Sequence, residues 1–253
     1  MAWYRILQYG SFNGNIKRNI QNVDALFSPY LNSPMNIIFL TIIRIDEISD
    51  RGIYPDLMRK FTYEGHNVSI ITPVERRFGQ KSSIVTEKNA IIIKIRTLNI
   101  QKSNVIEKWF GMLLTRYQYL RVIKRYLKDI KYDLVIYSTP PITFINLVNY
   151  LKQKHGAASY LLLKDIFPQN AVDLGLIRKG GLLYRYFRRI EKKLYSVSDY
   201  IGCMSQANVN FILKTNPEID PQKVEVNPNS HELFPEFLTT EQKNNIRKKY
   251  GIP

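Results

Sequence analysis

What most constrains this chain is a rhythm that begins at Met35, where short continuous apolar runs alternate with stretches of helical spacing. Ile37–Thr41, Val68–Ile71, Ala90–Ile95, Asp133–Tyr137, Tyr160–Leu163, Tyr200–Met204 and Val224–Val226 are too short for buried helices and read as strands. Between them, Gly52–Tyr63, Val105–Leu127, Ile142–Lys154, Leu182–Val197 and Gln206–Lys214 space their apolar residues three and four apart, as Ile53, Leu57 and Phe61 do. The long helix carries Trp109, Leu113, Leu120, Ile123 and Leu127 on its expected apolar stripe. Strands that are apolar throughout need cover on both faces, and helices between strands supply it. The pattern therefore predicts an α/β fold built on a doubly wound parallel sheet. No internal repeat and no low-complexity linker interrupts it.

Residues 1–34 stand apart from this rhythm. They are rich in Asn, Tyr and Ser and lack the basic start, apolar stretch and cleavage site of a secretory signal. They read either as a loosely attached leader ahead of Met35 or as a helix around Ile16–Phe27. No run approaches the roughly 18 apolar residues of a membrane-spanning helix. The single cysteine, Cys203, excludes a disulfide framework and suits a reducing compartment. With 37 Lys and Arg against 21 Asp and Glu, the net charge of +16 calls for an anionic partner: nucleic acid, acidic lipid or a phosphorylated substrate.

In a doubly wound sheet the chemistry sits at the carboxyl ends of the strands. Those ends carry Ile43–Gly52, Thr72–Arg77, Ser138–Pro141, Lys164–Gly175 and Asn227–Ser230, all polar and expected on one edge. A G-x-G-x-x-G after the first strand, a phosphate-binding P-loop, H-E-x-x-H and G-x-S-x-G are all missing from the sequence. His66, His155 and His231 are scattered, and the first two, beside helix-ending glycines, are expected at the surface or in caps.

Four segments carry a family resemblance. Arg51-Gly52-Ile53-Tyr54-Pro55-Asp56-Leu57 through Gly65-His66-Asn67-Val68 resembles the first loop and helix of GT-B glycosyltransferases of family 4. Asp133–Pro141 is similar to that family's fourth strand, Leu162–Asn170 to its Asp-x-x-Pro-Glu/Gln loop, and Val226–Ser230 to the stretch closing its N-terminal domain. The nearest likeness is to bacterial L-fucosamine transferases of O-antigen and capsule assembly. The resemblance implies a Rossmann-like N-terminal half of a GT-B fold. On it, residues 35–238 form an acceptor-binding domain, 239–253 begin the interdomain connection, and the donor-binding domain lies outside this sequence. It also implies a retaining transfer from a UDP-sugar, such as UDP-N-acetyl-L-fucosamine, to a lipid-diphosphate-linked glycan, with no metal and no further cofactor. The enzyme would then be cytoplasmic and peripheral on the inner face of the plasma membrane. One departure stands out: where several relatives place a histidine after the fourth strand, this chain has Ser138-Thr139-Pro140.

Each site residue admits two readings. Gly52 opens a helix whose N-terminus favours phosphate or sugar hydroxyls, with Arg51 adding charge, or the pair is a turn and a solvated cation. Lys164 and Asp165 are candidate catalytic residues, Asp165 to orient or deprotonate an acceptor hydroxyl and Lys164 to offset phosphate, or they form an ion pair locking the loop. Gln169 and Asn170 are candidate sugar ligands. Ser138 and Thr139 either bind substrate or cap the next helix. Asn229 and Ser230 either line the cleft or form a turn beside Pro228. Arg76 and Arg77 are weaker phosphate candidates.

Two helices concentrate the charge: Lys108–Lys131 and Arg178–Tyr195 each hold seven cations and one acid. In the second, Leu183, Phe187, Ile190 and Leu194 are expected in the core, leaving Arg185, Arg188, Arg189, Lys192 and Lys193 to face an anionic membrane. A basic nucleic-acid-binding module is the rival from another class, although the aromatics fall on helix stripes rather than on a sheet platform. A third reading is an inactive fragment or regulatory partner of a second chain.

Overall fold

The computed structural model describes residues 33–100, 105–232 and 239–251. The readings of residues 1–32 and the side chain of Trp109 lie outside what is described. In chain order the elements are β1 (Asn36–Leu40), α1 (Ile53–Tyr63), β2 (Asn67–Glu75), β3 (Ser83–Glu87), β4 (Ala90–Thr97), α2 (Val105–Tyr126), β5 (Leu134–Ser138) and α3 (Ile145–His155). There follow β6 (Ala158–Leu163), α4 (Gln169–Asp173), α5 (Leu182–Val197), β7 (Tyr200–Cys203), α6 (Gln206–Thr215), β8 (Val224–Val226) and α7 (Thr240–Tyr250).

The strands form one sheet in the order β3-β4-β2-β1-β5-β6-β7-β8. β1 lies at its centre, pairing Ile37 with Val68 of β2 on one side and with Leu134 of β5 on the other. The chain winds outward from β1 in one direction and from β5 in the other, so the two strands flank a topological switch point. Side-chain alternation divides β1 between two cores. Ile38 and Leu40 face Tyr119 and Ile123 of α2, Leu147 of α3, Phe187 and Leu194 of α5, and Ile212 of α6. Ile37 and Phe39 face Tyr54, Met58 and Phe61 of α1. These four of the five β1 residues are fully buried, each contributing about 1.5–3 kcal/mol of transfer free energy.

Three expectations need correction. The sheet is mixed rather than wholly parallel, because β3 pairs antiparallel with β4, Ile84 opposite Ile93. Ser83–Glu87 is a half-exposed edge whose link to β4 passes through Lys88, at a φ of 46°, and lacks the usual Asn-Gly signal. Of the two alternatives for His66, capping holds and a surface position does not: its N–H bonds the Phe61 carbonyl at 3.0 Å past the end of α1, and its buried Nδ1 accepts the Met35 N–H at 3.2 Å. Burial pulls its imidazole pKa down.

The third concerns α5. Arg188 points inward, with its guanidinium on Glu191 Oε2 at 2.5 Å, on the Thr215 carbonyl at 2.8 Å and on Asn216 Oδ1 at 2.5 Å. It joins α5 to the carbonyl end of α6 and does not belong to an exposed back. The buried stripe runs through Phe187, Glu191, Leu194 and Tyr195 and begins a turn later than expected, so Leu183 is left 62% exposed. Arg185, Arg189, Lys192 and Lys193 are exposed, with Lys192 paired to Glu218.

Candidate functional site

The carboxyl-end loops converge above the β1–β5 switch point. After β1 the chain reaches Gly52, whose φ of 151° and ψ of 162° fall where essentially only glycine is comfortable. Asp56, buried in the first turn of α1, accepts the Gly52 N–H at 3.3 Å and the Glu232 N–H at 3.1 Å. Arg59, one turn on, bonds Asp56 at 2.6 Å, the Ile48 and Asp50 carbonyls at 2.6 and 3.1 Å, and Glu232 at 2.9 Å. One carboxylate and one guanidinium thus bind the loop after β1, the helix it opens and the segment after β8. Burial pushes the Asp56 carboxyl up, but the Glu232 amide and Arg59 hold it below its ordinary value. This pair was absent from the candidates read in the sequence, where only the i,i+3 spacing of Asp56 and Arg59 hinted at it.

At the end of β5, Thr139 works as a clamp. Its Oγ1 accepts the Lys164 and Asp165 N–H groups at 3.0 and 3.3 Å, and the hydroxyl bonds the Asp165 carbonyl at 3.2 Å. It fixes the loop after β6, the task the expected Lys164–Asp165 ion pair was to perform. Among the described residues Lys164 makes no ion pair, and burial pulls its ammonium down to about 8. Ser138 is fully buried and caps no helix; its hydroxyl lies beside the Tyr54 phenol. A half-buried ammonium without a counter-ion among the described residues marks a place for a polar ligand, and Ser138 stands near it.

They line the same cavity. It measures about 530 Å³, within the usual range for small-molecule sites, and is walled by Arg44, Asp50–Pro55, Ser138–Pro140, Lys164, Asp165 and Asn229. A narrower slot of about 50 Å³ opens on the α1 side of Lys164, between Tyr54, Leu57, Tyr160, Leu162 and Asn227–Ser230. Beneath it the Tyr160 hydroxyl donates to Glu225 and accepts from Asn227 Nδ2 at 2.7 Å. Gly202 makes room for this group, since a Cβ there would stand 2.5 Å from the Tyr160 oxygen. Burial raises the Glu225 carboxyl and pushes the Cys203 thiol up to about 12, which leaves Cys203 an unreactive packing residue.

The structure therefore gathers Arg51, Gly52, Ser138, Thr139, Lys164, Asp165 and Asn229 at one cavity, and Ser230 at the adjoining slot. Gln169 and Asn170 lie in α4, outside both, with Gln169 bonded to Asp173 at 2.7 Å. Arg77 pairs with Glu75 at 3.0 Å, and neither Arg76 nor Arg77 lines the cavity.

An eight-stranded Rossmann-like sheet with a cavity at its switch point is a GT-B-like architecture. The catalytic domain of Starch Synthase IV from Arabidopsis thaliana, bound to ADP and acarbose, superposes with a TM-score of 0.60. That match has 13% identity and covers 87% of this chain and 60% of that one. A structure described as trehalose-6-phosphate from E. coli bound with UDP-2-fluoro glucose matches with a TM-score of 0.57 and 11% identity, over 85% of this chain and 54% of that one. In sequence, 67 residues are 33% identical to the Pseudomonas aeruginosa protein named probable glycosyltransferase WbjE, covering 26% of this chain and 17% of that protein. No family model matches. The chain thus spans little more than half of the solved structures it resembles and a smaller part of the curated relative.

Proposed function

We propose that this chain is the acceptor-side half of a family-4-like GT-B glycosyltransferase, moving a sugar from a UDP-sugar to a lipid-diphosphate-linked glycan with retained anomeric configuration. The observation that carries the reading is the switch-point cavity, which the half-buried Lys164, without an ion pair among the described residues, lines together with Gly52, Asp165 and Asn229. Folds shared with parts of two structures holding nucleotide or nucleotide-sugar support the class, as does the short match to a probable glycosyltransferase.

In this reading residues 35–238 bind the acceptor, 239–253 lead toward the donor-binding part, and UDP-N-acetyl-L-fucosamine is the favoured donor. Lys164 offsets diphosphate charge, and the exposed Asp165 carboxylate takes the proton of an acceptor hydroxyl that attacks the anomeric carbon on the face from which the diphosphate leaves, as retention in one displacement requires. Ser138, Asn229 and Ser230 orient sugar hydroxyls, and Gly52 admits the substrate close to the backbone. Gln169 and Asn170 are left out of this ligand set because they lie outside both cavities. The N-terminus of α1 and the nearby cations offset the leaving diphosphate, so the reading calls on no metal. A lipid-linked acceptor places the enzyme on the cytoplasmic face of the membrane, in O-antigen or capsule assembly. Among the described residues no helix is long and apolar enough to cross a membrane.

Calorimetric titration with a short-prenyl diphosphate-linked N-acetylsugar tests this. Binding should weaken about 10-fold in Lys164→Gln and less in Ser138→Ala, as loss of a charge-assisted bond requires. Tight binding of a UDP-sugar to this chain with no binding of the lipid-diphosphate sugar would overturn the acceptor-side assignment.

A further inference from the structure

The narrow slot beside the main cavity has a composition of its own. The two spaces share Ile53, Tyr54, Lys164 and Asn229 as walls, so the slot is a side pocket of the cavity. Its apolar wall comes from three elements: Leu57 and Phe61 of α1, Ile136 of β5 and Leu162 of β6. Phe61, Ile136 and Leu162 are each buried in the smaller core, which fixes that wall in place. The polar side chains of the slot include Lys164 and Asn227, and no carboxylate among the described residues lines it.

Asn227 is held from two directions. Its N–H donates to the Cys203 carbonyl at 2.6 Å, and its Nδ2 donates to the Tyr160 hydroxyl at 2.7 Å. That hydroxyl donates in turn to Glu225. Gly202 leaves the space this needs, since a Cβ there would stand 2.8 Å from the Asn227 Cβ. With Nδ2 engaged, Asn227 Oδ1 accepts no hydrogen bond among the described residues and is left to take an N–H from a ligand. Lys164 brings the opposite chemistry, three N–H donors and no acceptor. The slot thus joins a donor and an acceptor to an apolar wall.

A short acyl amide is complementary on all three counts, with its carbonyl for Lys164, its N–H for Asn227 and its methyl for the wall. A carboxylate would meet one cation but lie against Leu57 and Phe61, losing hydration that nothing there replaces. Size agrees. A single water needs at least about 10–15 Å³, so a slot of about 50 Å³ takes roughly three or four heavy atoms, the size of an acetyl group.

We propose that the slot receives the acetyl group of a 2-acetamido sugar, so that the acceptor is an N-acetylated amino sugar rather than a plain hexose. The inference rests on the acceptor-side reading of the cavity and narrows it. In such an acceptor the carbon bearing the acetamido group adjoins the anomeric carbon that carries the diphosphate. Lys164 borders both spaces, so one ammonium serves the acyl oxygen and the diphosphate together. The other hydroxyls of the sugar are then left on the cavity side, where Asp165 stands.

Calorimetric titration of the full chain with three short-prenyl diphosphate sugars tests it: N-acetylglucosamine, glucose and N-butanoylglucosamine. The acetyl compound should bind about 10-fold more tightly than the glucose compound, as one small group in a fitted pocket allows. The butanoyl chain, two carbons longer, overfills the slot and should bind about 10-fold more weakly than the acetyl compound. Leu57→Ala should lengthen the slot and bring the butanoyl compound within about threefold of the acetyl one. Leu57→Phe should close it and reduce the preference for acetyl over glucose to about one. The three ligands on the unaltered protein decide the matter even where a Leu57 variant fails to fold. Equal affinity for the acetyl and glucose compounds would overturn the slot assignment and leave the acceptor-side reading standing. Equal affinity for the acetyl and butanoyl compounds would put the acyl group in open solvent and overturn it as well. Failure of all three to bind would overturn the acceptor-side reading itself, and the slot assignment with it.

Discussion

On the α1 side of the sheet cations and carboxylates are matched: Arg59 with Asp56 and Glu232, Arg44 and Lys94 with Asp46, and Lys60 with Glu64. On the α2–α3–α5 side the outward cations of α5 have one carboxylate partner among the described residues, Glu218 on Lys192. The first arrangement puts charge to work in geometry, for Asp56 and Arg59 hold together the loops that frame the cavity. The second leaves charge unneutralised, projecting a positive field outward. Among the described residues, the outer side of α5 thus carries several cations without a carboxylate partner, whereas the loops around the cavity pair theirs.

The sharpest way to break this comparison is to remove the central pairing. Arg59→Leu leaves Asp56, which is 7% exposed, with its backbone donors but no guanidinium. Losing one partner of a buried pair costs about 3–5 kcal/mol. For a chain of this size that lowers the thermal midpoint by roughly 10 °C. The pH dependence has a definite sign. Asp56 has a depressed folded pKa, so its contribution is complete above the unfolded value of about 3.9 and is lost as pH falls through the folded one. The gap between wild type and variant in urea denaturation should therefore narrow as pH drops below about 4. A gap of constant size across that range would show that the pair does not work through the Asp56 charge.

Much of the architecture was legible in sequence because buried strands and amphipathic helices carry strong patterns. Ile37 to Leu40 is apolar at every position, as a central strand must be, and Leu182–Val197 was read to the residue. What escaped lacked such a pattern. β3 is half exposed, and α4 is a five-residue turn inside a loop. The convergence of Gly52, Ser138, Lys164 and Asn229 followed from the strand order, since all four stand at carboxyl ends. The direction of individual side chains did not follow. Arg188 and Arg189 are adjacent in sequence with the same chemistry, yet one is consumed by Glu191 and Asn216 while the other is exposed. Only the packing of α5 on α6 decides between them. Asp56 and Arg59 were hidden for a related reason, because each bonds Glu232, far away in the chain.

A smaller effect is expected at Lys164, which stands between the two regimes as a half-buried cation without a carboxylate partner among the described residues. Burial has pulled its folded pKa down to about 8, so it is mostly charged at neutral pH and loses its proton in mild alkali. Affinity for an anionic diphosphate should be flat below about pH 7 and fall roughly 10-fold as Lys164 deprotonates. Lys164→Gln should start weaker and show no such fall. Stability runs the other way: the unfolded lysine binds its proton more tightly, so the folded protein gains stability as pH rises between the two values. Opposite trends for binding and stability across the same pH window would assign both to this one group. An alkaline fall in affinity that persists in Lys164→Gln would assign it to another residue.

The smallest effect belongs to the charged face, and its sign is the informative part. Arg185, Arg189 and Lys193 follow one another at i,i+4 on α5, all exposed, and like charges at that spacing repel by about 0.2–0.5 kcal/mol per pair. Replacing all three by Gln should therefore raise the folding stability slightly, by up to about 1 kcal/mol, or a few degrees in the thermal midpoint. Because the repulsion acts through solvent, the gain should shrink as salt is added, with the screening length falling to about 3 Å at 1 M. Thermal melts of the two proteins across a salt series measure both the sign and the screening. A loss of stability comparable to that of Arg59→Leu would mean that these cations are structural after all, and the contrast between the two faces would collapse. A salt-sensitive gain would show that the fold carries them at a cost, as expected of charges that serve a partner outside the molecule.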